Sequence, residues 1–349
     1  MKKFAIIILT IALALSVSAC KPKVVKPGPT TPTNTPGTSP SAPVGEGEVS
    51  TGFCIETSLS DSTDATADKG GAAKCESAFY AVTVDADGVI ESCVIDAVQS
   101  TIEFSADGKL TTDTATEFPS KNELGKAYGL AQASPIGKEW NEQAKAFAQH
   151  CVGKTAQEVS GIAMTADGKA SDADLASSVT IRIGGFVAGV EAAAKNAHPL
   201  GAKHGDTLKI TSMTNISSSG DATADGDGTA QVDTTVAVIT LDGDKVTSCY
   251  IDGVQASVKF DAKGKITSDI NADIASKNTL GDNYGMKSAS SIGKEWYEQA
   301  AAFASYVTGK TIADVGNIAV SEGKATDADL ASSVTIRITN FIALIEKAA

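Results

Sequence analysis

The sequence predicts an α+β fold in two tandem homologous domains, each with a mainly antiparallel sheet packed against helices. The chain of 349 residues repeats itself at an offset of 155 to 157 residues. In each repeat, β-rich stretches separated by Gly-containing turns come first, and apolar residues at helical spacing follow. Strands that precede the helices, instead of alternating with them, favour an antiparallel sheet over a parallel one.

The predicted strands occupy matching positions in the two repeats. Turns at Asp87-Gly88, Asp107-Gly108 and Lys263-Gly264 separate or follow them and are typical of hairpins. The strands are Phe79–Val84, Val89–Val98 and Thr101–Phe104 in the first repeat, and Thr235–Leu241, Val246–Val254 and Ser257–Phe260 in the second.

A helix is expected after the strands of each repeat. Ser134-Pro135 is a typical helix start, Gly153 is a typical stop, and Gly309 is the corresponding stop in the second repeat. The apolar residues in between recur at helical spacing: Ile136, Trp140, Ala144, Phe147, Ala148 and Cys151, and Ile292, Trp296, Ala300, Phe303, Ala304 and Val307.

Composition divides the chain into five segments. We interpret 1–19 as a lipoprotein signal peptide, 20–48 as a Pro/Thr/Ser-rich tether, 49–197 as the first domain, 198–208 as a linker and 209–349 as the second domain. Pro199, Gly201 and Gly205 interrupt the helical pattern in the linker. Each domain is long enough to bury its own core.

The N-terminus has the layout of an export signal that ends in a lipobox. Lys2 and Lys3 precede an apolar run, and Val17-Ser18-Ala19-Cys20 closes it. The run from Phe4 to Leu15 is shorter than the roughly 20 residues of a membrane-spanning helix. We therefore expect Cys20 to be lipidated and to anchor the chain to the cell membrane on its extracellular face.

Charge and cysteine content exclude several classes of protein. The formal net charge is −13, and it becomes −15 once Lys2 and Lys3 are removed, so nucleic acid is not an expected partner. No CxxC pair occurs, which argues against a zinc site, and the Asp-rich turn near Asp221 lacks the Glu of a calcium loop, so no metal is expected. Cys93 and Cys249 share a repeat position and are expected to be buried thiols, while a single bridge among Cys54, Cys75 and Cys151 remains open.

Ten identical residues, DLASSVTIRI, begin at Asp174 and again at Asp329. Each copy places Asp six residues and Ser three residues before a Thr: Asp174, Ser177 and Thr180, and Asp329, Ser332 and Thr335. An apolar stripe at helical spacing follows each Thr, which therefore lies at or near a helix N-terminus, where N–H groups and the helix dipole favour a phosphate. The alternative is that the serines, Ser177, Ser178, Ser332 and Ser333, merely cap that helix.

This spacing resembles the flavinylation motif of FMN-binding domains, D-x-x-(S/T)-G-A-(T/S). The resemblance extends over both repeats and includes the segments AYGLAQASPIGKEWNEQAKAF and NYGMKSASSIGKEWYEQAAAF. It implies two FMN groups, each joined by a phosphoester to Thr180 or Thr335 and installed from FAD by a flavin transferase. The chain departs from the pattern in the same way twice, with Ser178 and Ser333 at the Gly position and Val179 and Val334 at the Ala position.

The resemblance implies an extracellular lipoprotein that carries electrons, of the type found in Gram-positive bacteria. A membrane quinone-linked dehydrogenase is the implied electron source, and external acceptors such as ferric iron are the implied sinks. The resemblance favours a redox carrier over a true enzyme, with extracellular reductase activity as the alternative. The His residues have no repeated counterparts, which excludes a duplicated His-based catalytic site, and no Ser-His-Asp order suggests a hydrolase. Two alternatives remain, a surface lipoprotein that binds a small ligand non-covalently and a structural surface repeat.

The scarce aromatic residues cluster before and within the predicted helix, and they are candidates for contact with the flavin ring. An aromatic wall with a cation near the polar edge of the isoalloxazine would suit that cofactor. The candidates are Tyr128, Lys138 and Trp140, and Tyr284, Lys294 and Trp296. For Trp140 and Trp296 the alternative is ordinary helix core, because both lie on the apolar stripe.

Overall fold

Three antiparallel strands open the first repeat, and the period-two burial of their side chains explains why they form. The computed structural model describes residues 47–349, so the predicted signal peptide, Cys20 and nearly all of the tether lie outside the described residues. The strands are β1 (Glu48–Ser58), β2 (Gly71–Val84) and β3 (Ile90–Phe104). Along β2, Phe79 and Ala81 contribute to one apolar cluster, while Tyr80 and Val82 contribute to another on the opposite face.

The second repeat reproduces this arrangement after one additional strand. That strand, β4 (His198–Lys203), is followed by β5 (Thr207–Asn215), β6 (Gly228–Asp242) and β7 (Lys245–Phe260). The hydrogen-bonded order is β3-β2-β1-β4 in one sheet and β5-β6-β7 in the other, and a small hairpin joins β8 (Val320–Ser321) to β9 (Lys324–Ala325).

The structure joins strands that the sequence analysis separated and adds others. Each predicted pair, such as Val89–Val98 and Thr101–Phe104, is one continuous strand because the polar residues between them stay in register with the neighbouring strand: Gln99 is opposite Glu76. The opening strands β1 and β5 were not predicted. Residues 198–203, inside the predicted linker, form β4 and pair with β1, where His198 is opposite Thr51.

Helices follow the strands in both repeats, which confirms the predicted α+β class. In the first repeat they are α1 (Lys121–Leu124), α2 (Trp140–Cys151), α3 (Ala156–Ser160), α4 (Ala173–Ala176) and α5 (Gly184–Lys195). In the second they are α6 (Lys277–Leu280), α7 (Trp296–Val307), α8 (Ile312–Gly316), α9 (Ala328–Ala331) and α10 (Thr339–Glu346). No helix within residues 47–349 is long and apolar enough to cross a membrane.

The predicted start of the long helix at Ser134-Pro135 is wrong. Helix α2 begins at Trp140, and Glu139 and Glu142 form a capping box there. The Ser134 hydroxyl accepts hydrogen bonds from the Gln143 side chain at 3.2 Å and from Ile136 N–H at 3.4 Å, in a turn that precedes the helix. The predicted stop is correct, because α2 ends at Cys151 and Gly153 has a left-handed φ of 80°.

The helices of each repeat cover one face of their own sheet. In the first repeat, buried aromatic side chains from α2, α5 and β2 meet in one core: Trp140, Phe147, Phe186 and Tyr80. In the second, Trp296, Phe303 and Phe341 have the equivalent positions. This packing fixes two loops, the segment before α2 and the connection between α4 and α5.

The opposite faces of the two sheets pack against each other. Phe53, Phe79, Val98, Leu208, Val236 and Val238 form a buried cluster that draws on both repeats. Hydrogen bonds between the repeats join Ala65 N–H to Gly264 C=O and Ala222 N–H to Gly108 C=O, each at 2.8 Å. The described residues of both repeats therefore belong to one compact unit.

Candidate functional site

The repeated motif forms a short helix followed by a loop, and Thr180 lies in the loop. Helix α4 is capped by Asp172, whose carboxylate accepts from Leu175 N–H at 2.9 Å. Thr180 comes four residues before the first residue of α5, and Thr335 comes four before the first residue of α10. The motif threonine is thus near a helix N-terminus, as the sequence predicts, although it is outside the first turn.

The serines of the motif do not cap the following helix. The Ser177 hydroxyl donates to the Asp174 carbonyl at 2.6 Å, and Ser332 does the same to Asp329 at 2.7 Å. These bonds lie at the C-terminal ends of the short helices α4 and α9. Helices α5 and α10 begin after Ile183 and Ile338, which make no side-chain capping bond. The capping alternative considered from the sequence is therefore wrong.

Apolar side chains hold the loop on both sides of the threonine. Leu175, Val179 and Ile183 are buried, with 4%, 1% and 0% of their surface exposed. Leu330, Val334 and Ile338 are buried to the same degree in the second repeat. Val179 and Val334, which replace the usual Ala of the motif, fill the core, while Thr180 and Thr335 between these anchors are half-buried.

One buried glutamine fixes the position of each motif threonine. The Gln143 side-chain oxygen accepts from Thr180 N–H at 2.8 Å, from the Thr180 hydroxyl at 3.2 Å and from Ile181 N–H at 3.3 Å. In the second repeat Gln299 accepts from Thr335 N–H, the Thr335 hydroxyl and Ile336 N–H at 2.8, 3.2 and 3.2 Å. Both glutamines are completely buried, so these bonds are shielded from water.

The other end of the glutamine amide connects the loop to the segment before α2. Gln143 Nε2 donates to the Ser134 hydroxyl at 3.2 Å and to the Lys138 carbonyl at 3.0 Å. Gln299 makes the equivalent bonds to Ser290 and Lys294, both at 3.2 Å. The glutamine therefore brings Thr180 close to the half-buried Lys138, two residues that are distant in sequence. The sequence analysis missed this glutamine, although it is identical in both quoted GKEW segments.

The direction of the hydrogen bonds determines what the threonine hydroxyl can do. A side-chain amide oxygen only accepts, so the Thr180 hydroxyl donates its proton to Gln143 and keeps its lone pairs for another group. Esterification removes that proton and this single bond, while the two backbone N–H bonds to Gln143 remain. Gln143 is the only hydrogen-bond partner of the Thr180 hydroxyl among the described residues. An amide is not a general base, so a base must come from elsewhere to activate the hydroxyl.

An arginine follows each motif threonine by two residues. Arg182 and Arg337 are the only arginines in the 349 residues, and both are exposed. The stem of Arg182 lies on Gly168, where an added Cβ would come within 3.8 Å of Arg182 Cγ, and Arg337 lies on Gly323 in the same way. The guanidinium group suits phosphate because its planar fork donates two parallel hydrogen bonds. Composition alone could have found these residues, but the sequence analysis did not.

The aromatic candidates divide into a core residue and a surface residue. Trp140 is 7% exposed and its ring is edge-on to Phe186, with 5.7 Å between ring centroids. Trp296 has the same exposure and packs edge-on to Phe341 at 5.9 Å. Both tryptophans are thus helix core. Tyr128 and Tyr284 are half-buried, and their hydroxyls donate to Gln99 and Gln255 at 2.9 and 2.8 Å.

The cations that contact these rings are two lysines that were not among the candidates. Lys121 Nζ lies 5.1 Å from the Tyr128 ring centroid and 4.9 Å from that of Trp140. Lys277 lies 5.0 Å from Tyr284 and 4.9 Å from Trp296. Only 4% of Lys121 is exposed, and Glu76 neutralises it at 2.6 Å. Neither lysine was predicted, because both lie on the short helices α1 and α6, which no sequence pattern indicated.

A buried aspartate binds the backbone of the residue that follows each of these lysines. Asp96 accepts from Asn122 N–H at 3.0 Å and Asp252 from Asn278 N–H at 3.0 Å. Burial raises the pKa of each carboxyl to about 6, and hydrogen bonds from Ser120 or Ser276 and from backbone N–H groups oppose that rise. These aspartates hold α1 and α6, and hence Lys121 and Lys277, against the sheet.

Comparison of the chain with protein-family models, with curated proteins and with solved structures finds no match. Within residues 47–349, no cluster of three or more His, Cys, Asp or Glu side chains is placed to hold a metal ion. The candidate site is therefore defined by its own geometry. It consists of a duplicated threonine, a buried glutamine that orients it and an exposed arginine beside it.

Proposed function

We propose that this protein is a membrane-tethered extracellular flavoprotein that carries electrons, with one FMN joined through a phosphoester to Thr180 and another to Thr335. The observation that carries the proposal is the duplicated hydrogen-bond arrangement around the two threonines. Their distances to Gln143 and Gln299 agree within 0.1 Å, because the three bonds measure 2.8, 3.2 and 3.3 Å in one repeat and 2.8, 3.2 and 3.2 Å in the other. The two repeats differ in sequence at many positions, yet both have this arrangement of hydrogen bonds.

The hydroxyl orientation supports an acceptor role in phosphoryl transfer. The threonine oxygen would attack the FMN phosphorus of FAD, the bond between the two phosphates would break, and AMP would leave. The hydroxyl proton would pass to a base of the flavin transferase, since Gln143 is the sole described hydrogen-bond partner of that hydroxyl and is not basic. The backbone bonds from Thr180 and Ile181 to Gln143 hold the loop throughout.

The charge pattern also supports a phosphate at this position. The chain carries a net charge of −13, so most of its surface repels a phosphodiester. Both arginines of the chain lie in the motif loops, where each can offset that repulsion locally. Gly168 and Gly323 have left-handed φ values of 79° and 81°, which glycine adopts without strain. The aliphatic parts of the Arg182 and Arg337 side chains lie against these two glycines.

Covalent attachment has a physical rationale outside the cell. A ligand held with a dissociation constant of about 1 μM has only about 8 kcal/mol of binding free energy and leaves its site in dilute surroundings. An ester-linked cofactor stays. When bound, FMN supplies the chemistry of accepting and passing on electrons, and the protein supplies its location. The proposed source is a membrane quinone-linked dehydrogenase, and the proposed acceptors are extracellular, ferric iron among them.

Peptide mass spectrometry tests the proposal. The full chain would be produced in cells with an active flavin transferase, and the peptides that contain Thr180 and Thr335 would be examined for the added mass of FMN. We expect both peptides to be modified, with Ser178→Ala as a matched control that leaves the modification of Thr180 intact. Unmodified peptides from such cells would refute the proposal.

The same preparation discriminates the alternative functions. A yellow colour that survives denaturation and precipitation indicates covalent flavin. Colour that is lost on denaturation favours a lipoprotein that binds a small ligand non-covalently. Colourless protein from a host with the transferase favours a structural surface repeat.

A further inference from the structure

The end of helix α2 is joined to the start of strand β3 in the first repeat. Gly153 N–H donates to the Ile90 carbonyl at 2.8 Å, and Ile90 N–H donates to the Lys154 carbonyl at 2.9 Å. Cys151 is the last residue of α2, and Cys93 lies three residues along β3 from Ile90. The junction therefore brings two cysteines together that are separated by 58 positions in the sequence.

Both cysteines belong to the apolar core of the first repeat. Cys151 is fully buried, and the half-buried Cys93 packs against the same cluster. The Cys93 thiol is close enough to Cys151 for that residue to raise its pKa, and neither cysteine is in a disulfide. The backbone bonds between the end of α2 and the start of β3 hold these two cysteines at one core cluster, and a disulfide requires such proximity.

The second repeat has the same junction without the second thiol. Gly309 N–H donates to the Val246 carbonyl at 2.7 Å, and Val246 N–H donates to the Lys310 carbonyl at 2.9 Å. Cys249 occupies the position of Cys93, but Val307 occupies that of Cys151, and both are buried in the core of this repeat. The fold therefore does not require the cysteine pair, and the second repeat serves as an internal control.

We propose that Cys93 and Cys151 are a redox site that closes into a disulfide, and that this site is confined to the first repeat. The oxidant is a small-molecule disulfide such as oxidised glutathione. The half-buried Cys93 attacks first, forms a mixed disulfide and releases one small thiol. Cys151 then attacks the Cys93 sulfur and releases the second thiol. The protein loses two protons and two electrons, and the small disulfide takes up both electrons and both protons as its two sulfurs become thiols.

The surroundings set the rate of this exchange. Interaction with the Cys151 thiol and burial raise the pKa of the Cys93 thiol well above its ordinary value. The thiolate is the attacking species, so closure should be slow at neutral pH and faster as the pH rises. Once closed, the bond would fix the helix that carries Gln143 to β3. The inference stands whether or not flavin is attached, because it depends only on the two thiols.

Redox equilibration of the full-length protein tests the inference. The protein would be incubated at pH 8.5 in mixtures of reduced and oxidised glutathione, quenched in acid, denatured so that buried thiols react, and alkylated before and after reduction with two reagents of different mass. We expect Cys93 and Cys151 to lose reactivity together, with one cross-linked peptide, while Cys54, Cys75 and Cys249 remain alkylated. Independent titration of Cys93 and Cys151, or glutathione adducts alone on the wild-type chain, would overturn the inference.

Two variants extend the test, each of which gives one repeat the residue that the other repeat has at the equivalent position. Cys151→Val copies the second repeat, so it should fold and should accumulate the glutathione adduct on Cys93 that the wild type resolves. Val307→Cys copies the first repeat, so Cys249 should become protected together with the new thiol. If Cys249 stays fully alkylated in that variant while Cys93 also stays alkylated in the wild type, the junction does not place thiols for bonding.

Discussion

Phe104 and Phe260 stack face to face, with ring centroids 4.2 Å apart and ring planes 5° from parallel. They are equivalent residues of the two repeats, each at the end of the last long strand of its sheet. The hydrogen bonds around them are reciprocal between the repeats. Asp64 of the first repeat accepts from Ile266 N–H at 2.7 Å, and Asp221 of the second accepts from Leu110 N–H at 2.8 Å. The repeats therefore meet through a pseudo-two-fold interface like that of a symmetric dimer.

Truncation of this stack should destabilise both repeats together. Phe104 and Phe260 are completely buried, and removal of a buried aromatic side chain typically costs about 3 to 5 kcal/mol. Phe104→Ala should lower the free energy of unfolding by that order in urea denaturation, with Phe104→Leu as a milder control. A loss below about 1 kcal/mol would show that the repeats do not share a core at this point.

Substitution of the buried glutamine should impair one flavin site selectively. Gln143→Met preserves length but leaves the N–H groups of Thr180 and Ile181 without their acceptor, at a cost of about 1 to 3 kcal/mol. The loop then loses its fixed position, so we expect flavin on Thr180 to fall at least about tenfold while Thr335 keeps its own. Peptide mass spectrometry measures both, and Gln299→Met is the reciprocal control. Equal loss at the two sites would contradict this.

Removal of one motif hydroxyl should remove one flavin and leave the other. Thr180→Val keeps the backbone N–H bond to Gln143 and gives up a single 3.2 Å hydroxyl bond, so stability should change by about 1 kcal/mol at most. The double variant Thr180→Val, Thr335→Val should be folded but colourless. Flavin absorbance and circular dichroism provide the readouts. Loss of both flavins from either folded single variant would mean that the sites are coupled.

The arginine beside the threonine should affect the efficiency of flavin attachment. Arg182→Gln removes the positive charge next to the proposed phosphoester, so the flavin content of the Thr180 peptide should fall several-fold when the transferase is limiting. Arg182→Lys retains charge without the planar fork and should lie between that variant and the wild type. Because Arg182 is exposed, its substitution should leave the thermal midpoint nearly unchanged. Wild-type modification rates in Arg182→Gln would remove the arginine from the site.

The buried aspartates predict a stability that depends on pH. Burial raises the pKa of Asp252 from 3.8 to about 6 in the folded protein. Its contribution to stability is therefore fully present below pH 3.8, where both states are protonated, and is lost as the pH rises through about 6. A shift of this size corresponds to about 3 kcal/mol.

Asp252→Asn isolates that contribution because its amide stays neutral. Relative to the wild type, the variant should gain stability between pH 4 and pH 8, by up to about 3 kcal/mol in urea denaturation. Asp96→Asn should behave in the same way, since Asp96 has the same raised pKa of about 6. A difference between variant and wild type that does not change with pH would mean that the carboxyl titrates normally in the fold.

Periodic patterns in the sequence were sufficient for the α+β class, for most of β3 and β7, for the C-terminal parts of β2 and β6, and for the long helices. These elements bury one face along a continuous run, so a local pattern reveals them. Strands β1 and β5 escaped prediction because residues such as Thr51, Thr57 and Thr211 interrupt the apolar pattern. Ser134-Pro135 misled the prediction of the helix start because a stronger cap, the Glu139 and Glu142 pair, follows it.

The sequence by itself determined which residues are duplicated, and so it drew attention to Thr180 and Thr335. Only the tertiary structure decided what holds them. Gln143 is 37 residues from Thr180 in the sequence, and their contact exists because α2 and the α4 to α5 loop pack on the same sheet. Lys121 meets Trp140, Cys93 meets Cys151, and Phe104 meets Phe260 for the same reason. Local propensity reports on neighbours along the chain, whereas these pairs depend on how distant elements pack.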